Sequence, residues 1–260
     1  MTPLPTSLLS IDYSGIEMRV AASEANDARM CDIFNRNGDI HSETAAAMFG
    51  IPLADVHPKK HRYPAKRTGF GILYDISAMG LHELFISEGV TDFDEDDCQQ
   101  FIDTWFATYP GVAAKMEAYK REAMQTGRVR DMWDRYRIIP EVYSALPRIR
   151  SAGLRMAANA PIQSGAQGII KEAMAQLQPV TAYYAMLHAD CICKLLMQIH
   201  DELIWEVSDL LISEVAPVFK AVMENVVTLR VPVKCDVEVA KTWADLKAYE
   251  FTIPTTNEGE

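Results

Sequence analysis

Apolar and polar positions alternate along this chain in blocks that fit strands at its two ends and helices between them. Residues 8–13, LLSIDY, read as a strand ending at Asp12, and EMRVAASEA from Glu17 onward turns helical. Residues 41–49 are alanine-rich and entered from Gly38-Asp39, which predicts a second helix. Residues 58–74 fit a helix whose prolines are confined to the first turns, where they are tolerated. Further helices are expected over 78–87, 94–109 and 112–126, then a short hairpin or loop over 128–139. Residues 151–158, 163–177 and 179–188 read as three separate helices, 210–227 as an amphipathic helix and 231–239 as a last strand. Between these lies LLMQIHDELIWEV, residues 195–207, two apolar runs around the polar tip His200-Asp201-Glu202. That is a β-hairpin pattern without the glycine that tight turns favour. The whole predicts an α+β protein: a small antiparallel sheet backed by helices, with a long helical insertion.

At 260 residues the chain can bury a real core. No signal peptide is visible, and no apolar run reaches the ~18 residues that cross a bilayer. Five cysteines, odd in number and without paired metal-ligand spacing, read as reduced packing thiols and point to a reducing compartment. The net charge of −11 argues against a nucleic-acid partner only until its distribution is considered. Residues 57–67 carry Lys59, Lys60, Arg62, Lys66 and Arg67 with no carboxylate, and residues 128–155 carry seven arginines. Two basic runs in an acidic chain favour an electrostatic role.

Three groups carry candidate chemistry. Asp12 ends a strand, in DYSGIEMR. Arg62, Lys66, Phe70 and Tyr74 recur every fourth residue, so on a helix they form one drifting stripe. Two cations suit a polyphosphate, and two rings suit a base and a sugar. The third group is the His200-Asp201-Glu202 tip, where like charges about 4 Å apart cost roughly 4 kcal/mol at an effective dielectric of about 20. A divalent cation removes that cost. Together these groups suggest metal-assisted phosphoryl transfer to nucleic acid.

Residues 12–19 resemble motif A of the family A DNA polymerases, where DYSQIELR is usual. Residues 62–74 are similar to motif B, RxxxKxxxFGxxYG, and residues 198–202 to motif C with its HDE. Gly38-Asp39-Ile40-His41, RMAANAPIQSGAQGIIKEAM (155–174) and VPVKCDVEVAKTWADL (231–246) also resemble family segments, in the same order. The resemblance implies a palm over 1–23 and 151–250 and a helical fingers lobe over 24–150, with the motif B helix at about 58–75 and a tail at 251–260.

It also implies roles. Asp12 and Asp201, with the Tyr13 carbonyl, would hold two Mg²⁺ ions, with Mn²⁺ as a substitute. Arg62, Lys66 and His41 would contact the incoming phosphates, with Lys66 the proton donor to pyrophosphate. Phe70 would pack on the sugar and discriminate against dideoxynucleotides. Tyr74 would sit by the templating base and pair with Glu17, which would crowd a ribose 2′-hydroxyl. Arg135, Asn159, Gln163, His200 and Glu202 would follow the primer–template DNA. The expected reaction is transfer from a dNTP to a primer 3′-hydroxyl in DNA replication, catalysed by a soluble protein of the cytoplasm, or of the host cytoplasm if viral.

The departures are Gly15 for the motif A glutamine, Asp75 for the glycine after the motif B tyrosine, Asp134 for a usual glycine, and atypical Arg67 and Gly69. In the family a thumb, the first palm strands and commonly an exonuclease domain precede motif A, whereas Met1 here lies eleven residues before Asp12. The expectation is a C-terminal piece of a split, viral polymerase, without thumb or exonuclease, completed by a separate N-terminal polypeptide. A shortened piece of a longer polymerase fits the same letters. Two rival readings stand beside this one: a single-subunit RNA polymerase, and a non-catalytic nucleic-acid-binding or assembly subunit on a polymerase scaffold.

Overall fold

A computed structural model of the chain describes residues 4–187 and 190–250. The expected tail at 251–260 and the His188 end of the expected 179–188 helix lie outside them. The chain divides into two compact units, one of residues 1–16, 166–228 and 233–260, the other of residues 17–165 and 229–232.

The first unit is built on an antiparallel sheet of five strands: β1 (Thr6–Tyr13), β4 (Cys193–Ile199), β5 (Glu202–Ser208), β6 (Cys235–Ala240) and β7 (Lys247–Ala248). Their order is β4-β5-β1-β6-β7, so β1 is central. The register pairs Leu9 with Trp205 and Val239, and Ile11 with Leu203 and Val237, which collects apolar side chains on one face. Helix α9 (Ile212–Asn225) covers that face. The Trp205 and Phe219 rings lie 4.9 Å apart, and the buried Tyr13 hydroxyl donates to the Met223 carbonyl at 2.9 Å. Leu9, Ile11, Trp205 and Phe219 are wholly buried, each stabilising the fold by about 1.5–3 kcal/mol. The strand expected over 231–239 is β6, which starts at Cys235 rather than Val231. Pro232 has no N–H for a ladder, and its carbonyl accepts from Arg19.

The second unit holds seven helices in sequence: α1 (Ile16–Ala25), α2 (Ala28–Asn35), α3 (Ile40–Phe49), α4 (Tyr63–Leu73), α5 (Ala78–Ser87), α6 (Glu95–Thr108) and α7 (Pro110–Thr126). A hairpin of β2 (Arg128–Arg130) and β3 (Tyr136–Ile138) follows. Phe49, Phe85, Phe93 and Phe101 stack at centroid distances of 5.0 to 5.9 Å and hold α3, α5 and α6 together. Helix α2, absent from the pattern reading, is capped by buried Asp27, which accepts from the N–H of Met30 and from that of Gly111 at the start of α7. The units divide at 16/17 and 165/166, whereas the sequence reading divides palm from fingers at 23/24 and 150/151. Side chains of α1 explain the first difference: a Cβ on Gly69 would meet Met18, and one on Gly165 would meet Val20.

The three helices expected over 151–188 are one, α8 (Pro147–Leu187). Pro161 and Pro179 lie inside it, where an interior proline costs about 3 kcal/mol. Burial of Ile162, Ile169, Ile170 and Leu177 along the same helix outweighs that cost.

Candidate active site

In the first unit the sheet register assembles the acidic groups. Asp12 lies opposite Glu202 on β5 and opposite Asp236 on β6. The Tyr13 N–H donates to the Asp201 carbonyl at 3.3 Å, seating the hairpin tip beside the end of β1. The tip residue His200 is exposed and adopts φ +51°, a left-handed conformation that a histidine rarely takes. Gln198 steadies it by donating to the His200 carbonyl at 3.0 Å. Glu202 accepts from the Ser10 hydroxyl. Asp12 reaches solvent, yet its carboxyl is pushed up to about 7, first by desolvation and then by Asp201, Glu202, Asp236 and Glu238. Burial also raises Asp201, with Glu202 adding to it and His200 opposing.

This donor set suits a hard divalent cation. Several carboxylates crowd one sheet end and raise the Asp12 carboxyl, and a cation would stabilise their ionised forms. No three His, Cys, Asp or Glu side chains form a closed metal cage among the described residues. Mg²⁺ needs none, because it binds through one or two carboxylates and keeps water and substrate phosphates as its other ligands.

In the second unit a π-helical turn, Pro58–Arg62, leads into α4, so Arg62, Lys66, Phe70 and Tyr74 do share a helical run. Arg62 is held by Asp39, with Nε to Oδ2 at 2.5 Å and Nη2 to Oδ1 at 3.1 Å. Asp39 also caps α3 through the His41 N–H. Burial raises its carboxyl, but the bonds from Arg62 and Ser42 prevail and hold it at about 2. His41 is lowered to about 4, mainly by burial with Arg62 and Lys66 opposing its charge, so it is neutral at pH 7. Its ring lies 5.6 Å from that of Phe70, and the exposed Lys66 ammonium stands 6.0 Å from the Phe70 centroid.

Tyr74 closes α4, and its hydroxyl donates to Glu17 at 3.2 Å. Asn159, on α8, donates to the Leu73 carbonyl at 3.1 Å and so caps the same helix end. Gln163 is exposed on α8. Arg135 is anchored by Asp131 at 2.9 Å and by the Ser164 carbonyl at 2.5 Å. Arg67 and Tyr63 both bond to Glu88. Among the described residues no helix is long and apolar enough to cross a membrane.

Two contributors, Ser10 and Asp236, escaped the sequence reading, which noted Asp39 without its role as the partner of Arg62. Ser10, Asp236 and Asp39 are separated from their partners by long stretches of chain, so only the sheet register and the α3–α4 packing reveal them. A faint signal existed for Asp39, an aspartate at the head of a predicted helix.

The profile of DNA polymerase family A matches residues 2–245. DNA polymerase I of Lactococcus lactis is 38% identical over 240 residues, which are 92% of this chain and 26% of the relative. The thermostable DNA polymerase I of Thermus filiformis is 37% identical over 244 residues, 92% of this chain and 27% of that one. The chain therefore spans about a quarter of the length of these curated relatives. Among solved structures, the POL domain of Pol1 from M. smegmatis, in complex with DNA primer-template and dNTP, superposes with a TM-score of 0.82. It is 29% identical, and the match covers 94% of this chain and 41% of that one.

Proposed function

Because the chain belongs to DNA polymerase family A, we propose that it is the palm and fingers portion of a DNA-directed DNA polymerase. In this reading it extends a primer 3′-hydroxyl on a DNA template with dNTPs during replication. The observation that carries the reading is the Tyr13–Asp201 backbone bond, which puts two motif carboxylates at one sheet end.

Asp12, Asp201 and the Tyr13 carbonyl would hold two Mg²⁺ ions, or Mn²⁺ in their place. Bound there, the ions would lower the pKa of the primer hydroxyl and neutralise charge on the triphosphate. Arg62, oriented by Asp39, keeps N–H groups for a phosphate oxygen, and a planar fork suits that geometry better than an ammonium would. Lys66 is exposed on the same helix and supplies a proton to departing pyrophosphate. Neutral His41 contributes a hydrogen bond rather than a charge. Phe70 presents a ring without a hydroxyl to the sugar. Tyr74 and Glu17 form the gate that rejects a ribose 2′-hydroxyl, which favours DNA over RNA synthesis. Arg135, Asn159, Gln163, His200 and Glu202 track the primer–template.

The remainder of the polymerase, carried on a separate polypeptide as the sequence reading expects, would complete the palm and supply the clamp on DNA. The exposed edge strand β4, with Leu196 and Met197 open to solvent, supports a need for covering protein. A cytoplasmic setting, in a viral host or otherwise, belongs to the same reading. Primer extension tests it, with the chain alone and mixed with a candidate N-terminal polypeptide. Weak or no synthesis alone and recovery on mixing is expected. Full activity of the chain alone overturns the partner. No synthesis in any combination overturns the polymerase and leaves the non-catalytic scaffold.

A further inference from the structure

The end of α4 carries an aspartate where two physical considerations disfavour one. The Ile76 N–H bonds to the Gly71 carbonyl at 3.0 Å and the Asp75 N–H to the Ile72 carbonyl at 2.8 Å, the pattern of a Schellman helix stop. The residue at its left-handed position is Asp75, φ +55°, where glycine is the unstrained choice. A carboxylate at a helix C-terminus also opposes the helix dipole. The turn is tight besides: a Cβ on Gly71 would stand 2.8 Å from the Ile76 side chain. Against these costs stands one interaction, the ion pair from Lys120 Nζ on α7 to Asp75 Oδ1 at 3.0 Å. Both side chains are mostly covered, 18% and 24% exposed. Lys120 is further held by Glu117 at 3.1 Å. A local sequence choice that works against its own turn, sustained by one long-range partner, marks a position shaped by function.

What the pair adjoins is Tyr74, whose hydroxyl meets Glu17 and whose preceding carbonyl, that of Leu73, is capped by Asn159. Main-chain position at 74 sets where that ring and hydroxyl stand. We propose that the Asp75–Lys120 ion pair is a latch that fixes Tyr74 against Glu17, making Lys120 a positioning residue for sugar discrimination. The inference rests on the gate reading of Tyr74 and Glu17 given above. Lys120 touches neither nucleotide nor template in this account and acts only through the turn.

The test compares rNTP with dNTP incorporation in the polymerase carrying Lys120→Met, Asp75→Asn, both together, Lys120→Arg, or Glu17→Ala. Glu17→Ala serves as the reference for an open gate. The ratio of rNTP to dNTP use is expected to rise about tenfold in Lys120→Met and in Asp75→Asn, since either change removes the ion pair while leaving the turn residue able to adopt its left-handed conformation. The double variant should rise no further than either single one, and Lys120→Arg should keep the parental ratio. Amide hydrogen exchange over residues 71–76, measured on the chain itself, should quicken in Lys120→Met and not in Lys120→Arg. An unchanged ratio in Glu17→Ala overturns the gate and takes the latch with it. A raised ratio in Glu17→Ala beside a parental ratio in Lys120→Met overturns the latch alone. So does unaltered exchange over 71–76, whether or not the sample extends a primer.

Discussion

The Tyr13 N–H donates to the Asp201 carbonyl at 3.3 Å, which binds the end of β1 to the tip of the β4–β5 hairpin. Burial raises the Asp12 and Asp201 carboxyls, which are distant in sequence; repulsion from Asp201 adds to the rise at Asp12, and repulsion from Glu202 adds to that at Asp201.

Asp12 sits near 7 in the metal-free fold, against an ordinary value of 3.8. The folded state then holds a proton that the unfolded chain releases, so metal-free stability should fall as pH rises from about 4 to 7. Thermal unfolding in EDTA checks this, and saturating Mg²⁺ should abolish the slope. At pH 8 in EDTA, Asp12→Asn should stabilise by about 1 kcal/mol, a figure discounted because the carboxyl reaches solvent. A flat pH profile for the metal-free protein contradicts the prediction.

Asp39 both caps α3 and orients Arg62. Asp39→Ala should cost about 1 kcal/mol of stability through the lost cap. It should also raise KM for dNTP severalfold through the freed guanidinium, with a smaller effect on kcat. Steady-state kinetics beside a denaturant melt separate the two effects, and an unchanged KM would remove Asp39 from the site.

Asp27 is almost fully buried and joins α2 to the first turn of α7. Asp27→Ala strands two N–H groups and should destabilise by about 2–3 kcal/mol. A Cβ on Gly111 would stand 2.9 Å from the Asp27 backbone, so Gly111→Ala should cost about 1–3 kcal/mol by overpacking. Chemical denaturation of both variants measures these losses. Indifference to either change would mean the junction contributes little.

In the proposed function Phe70 faces the sugar and offers it no hydroxyl. Phe70→Tyr adds one where a dideoxynucleotide lacks its own, and should raise dideoxynucleotide use relative to dNTP by about 10- to 100-fold. Chain-termination assays read that ratio directly, and an unchanged ratio places Phe70 away from the sugar.

Much of this was legible in the letters. The β1 strand, the 195–207 hairpin and the α4 stripe follow from periodicity, since each buries one face against its own neighbours in sequence or register. The single helix α8 was not, because Pro161 and Pro179 carry strong local break signals that only burial overrides. Asp75 and Asp134 stood out as replacements of usual glycines, and the structure shows why glycine suits those places: φ is +55° and +59°. Their ion-pair partners, Lys120 for Asp75 and Arg130 for Asp134, could not be assigned from the sequence, because pairing follows from packing. The pairing of Asp39 with Arg62 was hidden for the same reason.

The shared carboxylate site is tested most directly by Mn²⁺ binding, followed by the loss of the free-ion electron paramagnetic resonance signal as the chain is titrated at pH 8. The account predicts uptake by the parent chain and at least a tenfold weaker affinity in Asp12→Asn and in Asp201→Asn, each removing one ligand of the same site. Equal binding by the parent and both variants would contradict it.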